Sequence, residues 1–264
     1  MAVLTIATWN LERTRPGDHE RISVILEQMA EIEADIWVLT ETSEAIRPAR
    51  YSYVTSSPWP GAPYEPDERG VMIWSRRPLR QVQTLPFLPK AGEPATQPSY
   101  ALTSQDAAPV ACALADTPVG PILVYGTIIT WPEDPGPQGG LASGAAQRRA
   151  IDAQAADWTS LRATLRDVPL FVVGDLNVSL GGPVYPSREL RQHLFGALGQ
   201  AGLRCLTGEF VAPEGKPTVD HICLGGPLAV RRFEADLFTP RANPAGSAGR
   251  LVSDHPGLWG RFYT

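Results

Sequence analysis

The sequence predicts an α/β protein, and three observations carry that expectation. Leu170-Phe171-Val172-Val173 is a short unbroken apolar run that ends in Gly174-Asp175, as a strand covered on both faces does. Near the N-terminus a β-rich segment, a helical period and a second apolar segment succeed one another within about 40 residues, a strand-helix-strand unit. Two further helical stretches, 148–165 and 187–201, flank the central run, so helices and strands alternate along the chain.

Residues 3–9 alternate and are β-rich, forming the first strand, and they run into Asn10-Leu11-Glu12. Asp18 is placed to cap a helix over 20–33, where Ile22, Ile25, Leu26, Met29 and Ile32 keep the helical period. Residues 36–39 form the next strand and end in Thr40-Glu41-Thr42, so both early strands deliver a carboxylate at their C-terminal ends. Residues 56–70 hold Pro58, Pro60, Gly61, Pro63 and Pro66 beside Trp59 and Tyr64, a semi-rigid aromatic loop suited to the rim of a cleft. Residues 71–75 are a strand; 81–109 are Pro-rich and poorly patterned, with room for one edge strand.

Residues 122–130 are strongly β, and 131–144 form a Pro/Gly loop. The helix over 148–165 places Ile151, Ala155, Trp158, Leu161 and Leu165 on one face. The helix over 187–201, with Leu190, Leu194 and Leu198, is stopped by Gly202. Strands at 218–224 and 231–238 follow, then a loop over 239–252 carrying Arg241 and Arg250, and a last strand around 257–262. No repeat, low-complexity tract or linker interrupts the pattern, so 1–264 reads as one domain.

Composition narrows the function. Of 264 residues 43% are hydrophobic and 19% charged, the profile of a soluble globular protein with enough chain for a sizeable core. The net charge of -5 and the scarcity of lysine argue against a broad nonspecific nucleic-acid footprint. Cys112, Cys205 and Cys223 are odd in number and widely spaced, which indicates neither a disulfide framework nor a zinc knuckle. Buried structural thiols in a reducing compartment are expected. No segment has the length of a membrane span, and the first residues show no basic leader; a cytoplasmic protein is expected.

Oxygen-bearing side chains recur at the strand ends: Asn10 with Glu12, Glu41, Asp175 with Asn177, Asp220, and Asp254 beside His255. Asp175 and Asn177 share one side of an extended segment, and Gly174 lets the backbone bend before them. Hard divalent cations take oxygen ligands, and several carboxylates gathered at one rim repel unless a cation is present. Each residue also has a plainer reading. Asp220 suits a turn cap, Glu12 a solvated neighbour, and His221, on the opposite face from Asp220, a packing role. His19 and His193, in helical segments, carry no expectation of catalysis.

Thr8-Trp9-Asn10, Thr40-Glu41, Arg69-Gly70-Val71-Met72-Ile73-Trp74-Ser75, Gly174-Asp175-Leu176-Asn177, Val219-Asp220-His221-Ile222 and Ser253-Asp254-His255 stand in order along the chain. In this order they resemble the successive motifs of the endonuclease/exonuclease/phosphatase superfamily, including its deoxyribonuclease-I-like and exonuclease-III-like members. The resemblance implies a four-layer α/β/β/α sandwich of two packed sheets, with the site at one edge. It implies Glu41 as principal ligand of one or two Mg²⁺ or Mn²⁺ ions, with Asn10 and Glu12 or Asp254 beside it. Asp175 would position or deprotonate the attacking water, Asn177 would bond the phosphoryl oxygens, and His255, oriented by Asp220, would stabilise the transition state. Many members carry a His or Tyr within the strand matching Tyr125 to Ile129, where this chain has Ile128. That contact is missing here or supplied by Thr127, Thr130 or Trp131.

The expected activity is metal-dependent hydrolysis of a phosphodiester by in-line water attack. A nuclease-type reaction on DNA, RNA or nucleotides comes first, with Thr127, Trp131, Arg250 and Trp59 as substrate contacts. Alternatives are a lipid or small-molecule phosphoesterase of the same family, and a catalytically weakened member that binds a phosphorylated partner. Without a hydrophobic anchor or polybasic segment no stable membrane association is expected, and no obligatory protein partner is evident.

Overall fold

The computed structural model describes residues 1–56, 65–82, 110–135, 140–212, 215–242 and 249–264. Its strands are β1 (Val3–Asn10), β2 (Ile36–Ser43), β3 (Ser52–Thr55), β4 (Glu68–Ser75), β5 (Leu79–Gln81), β6 (Val110–Thr117) and β7 (Gly120–Ile128). They continue as β8 (Leu170–Asp175), β9 (Arg204–Cys205), β10 (Asp220–Gly225), β11 (Arg232–Phe238), β12 (Arg241–Ala242), β13 (Arg250–Leu251) and β14 (Gly257–Tyr263). Among the described residues the helices are α1 (His19–Ile32), α2 (Ala145–Thr164) and α3 (Arg188–Gln200).

One six-stranded sheet runs β11-β14-β1-β2-β4-β3 and the other β5-β6-β7-β8-β10-β9. The parallel pairs are β1 with β2 and β7 with β8. Strand alternation divides the apolar residues into layers. Leu4, Ile6, Ile36, Val38, Val71 and Ile73 of the first sheet meet Val124, Phe171, Val173 and Ile222 of the second in an inter-sheet core. The alternate residues Trp9, Trp37, Leu39 and Met72 pack beneath Ile25 and Met29 of α1. On the far side Tyr125, Val172 and Cys223 pack beneath Ile151 and Trp158 of α2 and Leu194 of α3. The result is a four-layer α/β/β/α sandwich, the architecture that the motifs imply.

Two glycines allow close approach, one between the sheets and one between neighbouring strands. A Cβ at Gly126 would stand 2.8 Å from Val71 Cγ1 in the facing sheet. Gly174 has φ +136, and a Cβ there would lie 2.1 Å from the Thr127 carbonyl oxygen in β7, so only glycine fits. Ser187 caps α3 by accepting from the Leu190 amide at 3.2 Å, and Gly202, with φ +66, turns the chain after it.

Some expectations need correcting. Asp18 does not cap α1 with its side chain; its carboxylate accepts from the Arg15 amide at 3.1 Å, closing the preceding turn instead. The segment 239–252 is not all loop, because β12 and β13 pair across it. β3, β6 and β9 carried no expectation. The loop around Trp59 and most of 81–109 lie outside the described residues.

Candidate active site

The two inner sheet faces run out of apolar residues at the same end, and polar residues continue their alternation. In β1, Leu4 and Ile6 belong to the inter-sheet core and Asn10 follows on their face. In β8, Asp175 follows Phe171 and Val173; in β10, Asp220 precedes Ile222 and Leu224. Asp175 and Asp220 are direct cross-strand partners. Glu41 reaches the same place differently. By alternation it would follow Trp37 and Leu39 toward α1, but its φ of +45 takes it out of the pleat, between the Thr40–Val71 and Thr42–Arg69 pairs. Asn177 has φ +48. Left-handed conformations at non-glycine residues cost on the order of 1–3 kcal/mol each and concentrate at functional sites.

One amide ties the carboxylates together. Asn10 Nδ2 donates to Glu41 Oε1 and to Asp175 Oδ2, both at 3.0 Å. Asp175 Oδ1 accepts from the Asn177 amide N–H at 2.8 Å, and its Oδ2 from Asn177 Nδ2 at 3.2 Å. Asn177 Nδ2 also donates to the Ile129 carbonyl at 2.7 Å. Across the site His255 Nδ1 lies 2.6 Å from Asp220 Oδ2. The backbone of His255 is held as well: its N–H donates to Ser253 Oγ at 3.0 Å, and its carbonyl accepts from Trp9 Nε1 at 3.1 Å. Ser253 Oγ in turn donates to the Asn10 carbonyl at 2.7 Å, so the imidazole and the amide share one support.

Burial and mutual repulsion set the charges. Asp175, 1% exposed, is pushed up to about 7 by desolvation and then by the charge of Asp220, against the pull of His255 and the Asn177 N–H. Ile128 is its parallel-strand neighbour and belongs to the inter-sheet core, so an apolar side chain flanks this carboxylate. Glu41 is also raised, chiefly by desolvation, with its Asn10 bond and His255 opposing. Desolvation lowers His255, but the charge and hydrogen bond of Asp220 outweigh it, and with Asp175 and Asp254 they carry it up to about 10. An imidazolium therefore faces a group of carboxylates at neutral pH.

These residues fit a hard divalent cation. The carboxylates of Glu41 and Asp175 meet on the Asn10 amide, Asp220 stands directly across from Asp175, and Asp220 Oδ1 is buried without a hydrogen-bond partner among the described residues. Two carboxyls held above their ordinary values beside a third mark a deficit of positive charge that oxygen-bound Mg²⁺ or Mn²⁺ would relieve.

The remaining candidates sit at varying distance. Asp254 is exposed at the rim, with its carboxylate 4.0 Å from His255 Nε2. The Glu12 carboxylate turns to Arg21 at 3.3 Å, while its backbone N–H donates to Asn10 Oδ1 at 2.8 Å. Thr127 faces away from the cleft: fully buried, it donates to Gln154 Oε1 at 2.7 Å beneath α2. Trp131 is 54% exposed at the end of β7. Arg250 is exposed in β13, and its charge, with that of Asp254, is felt at Arg21. Trp59 lies outside the described residues.

Sequence reasoning passed over the supports. Gln147 Nε2 donates to the Asn177 carbonyl at 2.8 Å, and Gln154 Nε2 to the Ile128 carbonyl at 3.2 Å. Both are buried on the apolar face of α2. A polar residue set in the stripe with Ile151 and Trp158 was the available signal.

The sequence model described as Endonuclease/Exonuclease/phosphatase family matches residues 7–255. No curated protein matches the chain by sequence. Among solved structures, the AP endonuclease LMAP from Leishmania major aligns with a TM-score of 0.68 at 13% identity, over 100% of this chain and 88% of that one. The catalytic domain of human Nocturnin, with bound sulfate, gives 0.63 at 17%, over 99% and 94%. An endonuclease/exonuclease/phosphatase family protein from Bacteroides thetaiotaomicron gives 0.62 at 16%, over 98% and 94%. At such identities the structural likeness is one of fold, and it is the sequence match over nearly the whole length that assigns the family. The chain belongs to the endonuclease/exonuclease/phosphatase family, whose members hydrolyse phosphoesters.

Proposed function

We propose that this protein is a divalent-metal-dependent phosphodiesterase of nuclease type. The observation that carries the reading is the meeting of Asn10, Glu41, Asp175, Asp220 and His255 where the inter-sheet core ends. Asp175 holds the attacking water and takes its proton; a carboxyl near 7 is poised for that at neutral pH. Asn177 spends its amide on Asp175 and Ile129, so it fixes the direction of that carboxylate. In this arrangement it meets a phosphoryl oxygen only if its 3.2 Å bond to Asp175 gives way. His255 keeps Nδ1–H on Asp220 and presents Nε2–H to the phosphate, where charge grows in the transition state. Glu41, with Asn10 and Asp254, would hold Mg²⁺ or Mn²⁺, which when bound supplies charge neutralisation and Lewis acidity at the phosphoryl oxygens.

Nucleic acid or a nucleotide is the favoured substrate. Trp131 and Tyr185, 54% and 38% exposed, lie on the loops after β7 and β8, and the charge of Asp175 reaches the Tyr185 phenol. Aromatic faces beside a phosphodiester site suit base stacking. Arg250, exposed in β13, would supply a phosphate contact. The low lysine content favours a short or single-stranded segment over a long duplex, which needs many basic contacts. No helix among the described residues is long and apolar enough to cross a membrane. The free thiols suit a reducing, cytoplasmic setting.

Ile128 favours a second reading, a member that binds a phosphorylated partner without turnover, because an apolar side chain stands beside Asp175. A panel of abasic DNA, single-stranded DNA, RNA, dinucleotides, sphingomyelin and phosphoinositides separates the two when run with Mg²⁺ and Mn²⁺ and an Asp175→Asn control. Turnover of a nucleic-acid substrate that the variant loses supports the proposal. Turnover of lipids alone reassigns the substrate, and binding without turnover under every metal favours the second reading.

A further inference from the structure

Cys205 of β9 and Cys223 of β10 are direct cross-strand partners at the edge of the second sheet. The Leu206 amide donates to the Ile222 carbonyl at 2.9 Å, which makes Leu206 and Ile222 a hydrogen-bonded position of this antiparallel pair. By alternation Cys205 and Cys223 occupy a non-hydrogen-bonded position, where Cα atoms stand about 4.5 Å apart and side chains approach most closely. That separation falls within the range of about 4.4–6.8 Å that a disulfide spans. Both side chains point to the face covered by α2 and α3. Both thiols are free; Cys223 is buried and Cys205 half-buried.

His221 lies on the same face, two residues before Cys223. It is fully buried, with Nε2 3.0 Å from the Val178 carbonyl. A carbonyl only accepts, so Nε2 carries a proton. Nδ1 has no hydrogen-bond partner among the described residues, and the ring acts on the Cys205 thiol. The phosphodiester site uses none of these three side chains.

We propose that Cys205 and Cys223 form a reversible, peroxide-oxidised dithiol, with Cys205 the attacking sulfur and Cys223 the resolving one. A Cys205 thiolate can accept from the neighbouring Cys223 S–H, and this, with His221 helping, holds the Cys205 thiol below its ordinary value against desolvation. The adjacent Cys205 and burial push the Cys223 thiol up. Thiolate character therefore sits on the half-buried sulfur. In the first step the Cys205 thiolate attacks hydrogen peroxide: an S–O bond forms, the O–O bond breaks, and hydroxide leaves and is protonated to water. In the second, Cys223 attacks the Cys205 sulfenic acid: the S–S bond forms, the S–O bond breaks, and hydroxide departs with the Cys223 proton as water. Two thiols lose two electrons and one peroxide gains them. The bond closes residues 206–222 into a loop and ties β9 to β10, the strand that carries Asp220.

The experiment treats the reduced full-length protein with equimolar hydrogen peroxide and maps thiols by mass spectrometry. Expected is a Cys205–Cys223 disulfide peptide, the loss of two hydrogens from the intact mass, and reversal by dithiothreitol. The melting temperature should rise by about 3–10 °C on closing such a loop. In Cys223→Ser, dimedone should label Cys205, while Cys112, whose thiol burial raises, stays unlabelled. Three free thiols after treatment of the folded wild type would overturn the proposal, as would a dimedone adduct equal on Cys112 and Cys205. The wild-type map decides the matter even if Cys223→Ser fails to fold.

Discussion

Desolvation and the facing Asp220 hold Asp175 near 7, while His255 and the Asn177 N–H pull the other way, so a small change of environment moves this proton across neutrality. Asp175→Asn keeps the shape and removes a carboxylate that its surroundings disfavour. We expect turnover to fall by about 10²–10⁴-fold, the usual contribution of a general base, with the melting temperature of the metal-free protein within a few degrees of wild type. Steady-state kinetics and calorimetry on the same preparation check both. His255 gives a prediction of opposite character. Its value rises from 6.5 to about 10 through Asp220, although desolvation alone would lower it. The folded state thus holds this proton more tightly than the unfolded chain. The resulting stability is fully present below about 6.5 and is lost as pH climbs through about 10. The stability difference between wild type and His255→Gln, from urea titrations across that window, should be largest at its acid end and shrink toward its alkaline end. A constant difference would contradict the His255–Asp220 ion pair. That these strand-end side chains could meet was legible in the sequence, because position and alternation decide it. Thr127 is one residue out of phase with Ile128, and its side chain faces α2.

Elements hold the site through backbone contacts, which a sequence signals poorly. β7 and β8 run parallel, and Gly174 permits the Thr127 carbonyl to approach to where a Cβ would stand. Gly174→Ala combines that clash with a left-handed φ and should destabilise the fold by more than about 2 kcal/mol, measurable by urea denaturation. The glycine itself was readable from sequence as a bend, whereas the carbonyl that requires it lies 47 residues upstream in β7. Ser253 joins the Asn10 carbonyl to the His255 amide. Ser253→Ala should lower kcat about tenfold through misplacement of His255, with KM little changed, since one lost hydrogen bond is worth about 1 kcal/mol or slightly more. An equal loss in KM would instead mean that the serine serves substrate binding. The strands with continuous apolar runs, β2, β7 and β8, were legible from composition. β9 was not, because two residues carry no period; nor was β6, whose Ala111, Ala113 and Ala115 give a weak β signal.

At the scale of the molecule, two sheets with three apolar layers set the polar groups at one end, and the excess of carboxylate there makes a cation part of the account. A cation bound only by the folded state stabilises it by mass action, so millimolar Mg²⁺ or Mn²⁺ should raise the melting temperature of wild type but not of Glu41→Ala. The layers were foreseeable from the order of motifs, while the pairing of edge strands was not, since long-range register is written in no single segment. The most direct measurement is turnover of a chromogenic phosphodiester during titration of chelated protein with Mg²⁺ or Mn²⁺, run on wild type, Glu41→Ala and Asp175→Asn. The account predicts activity that rises with added metal in wild type and is lost in both variants while their melts persist. Turnover indifferent to chelation, or surviving both substitutions, would place the chemistry elsewhere in the molecule.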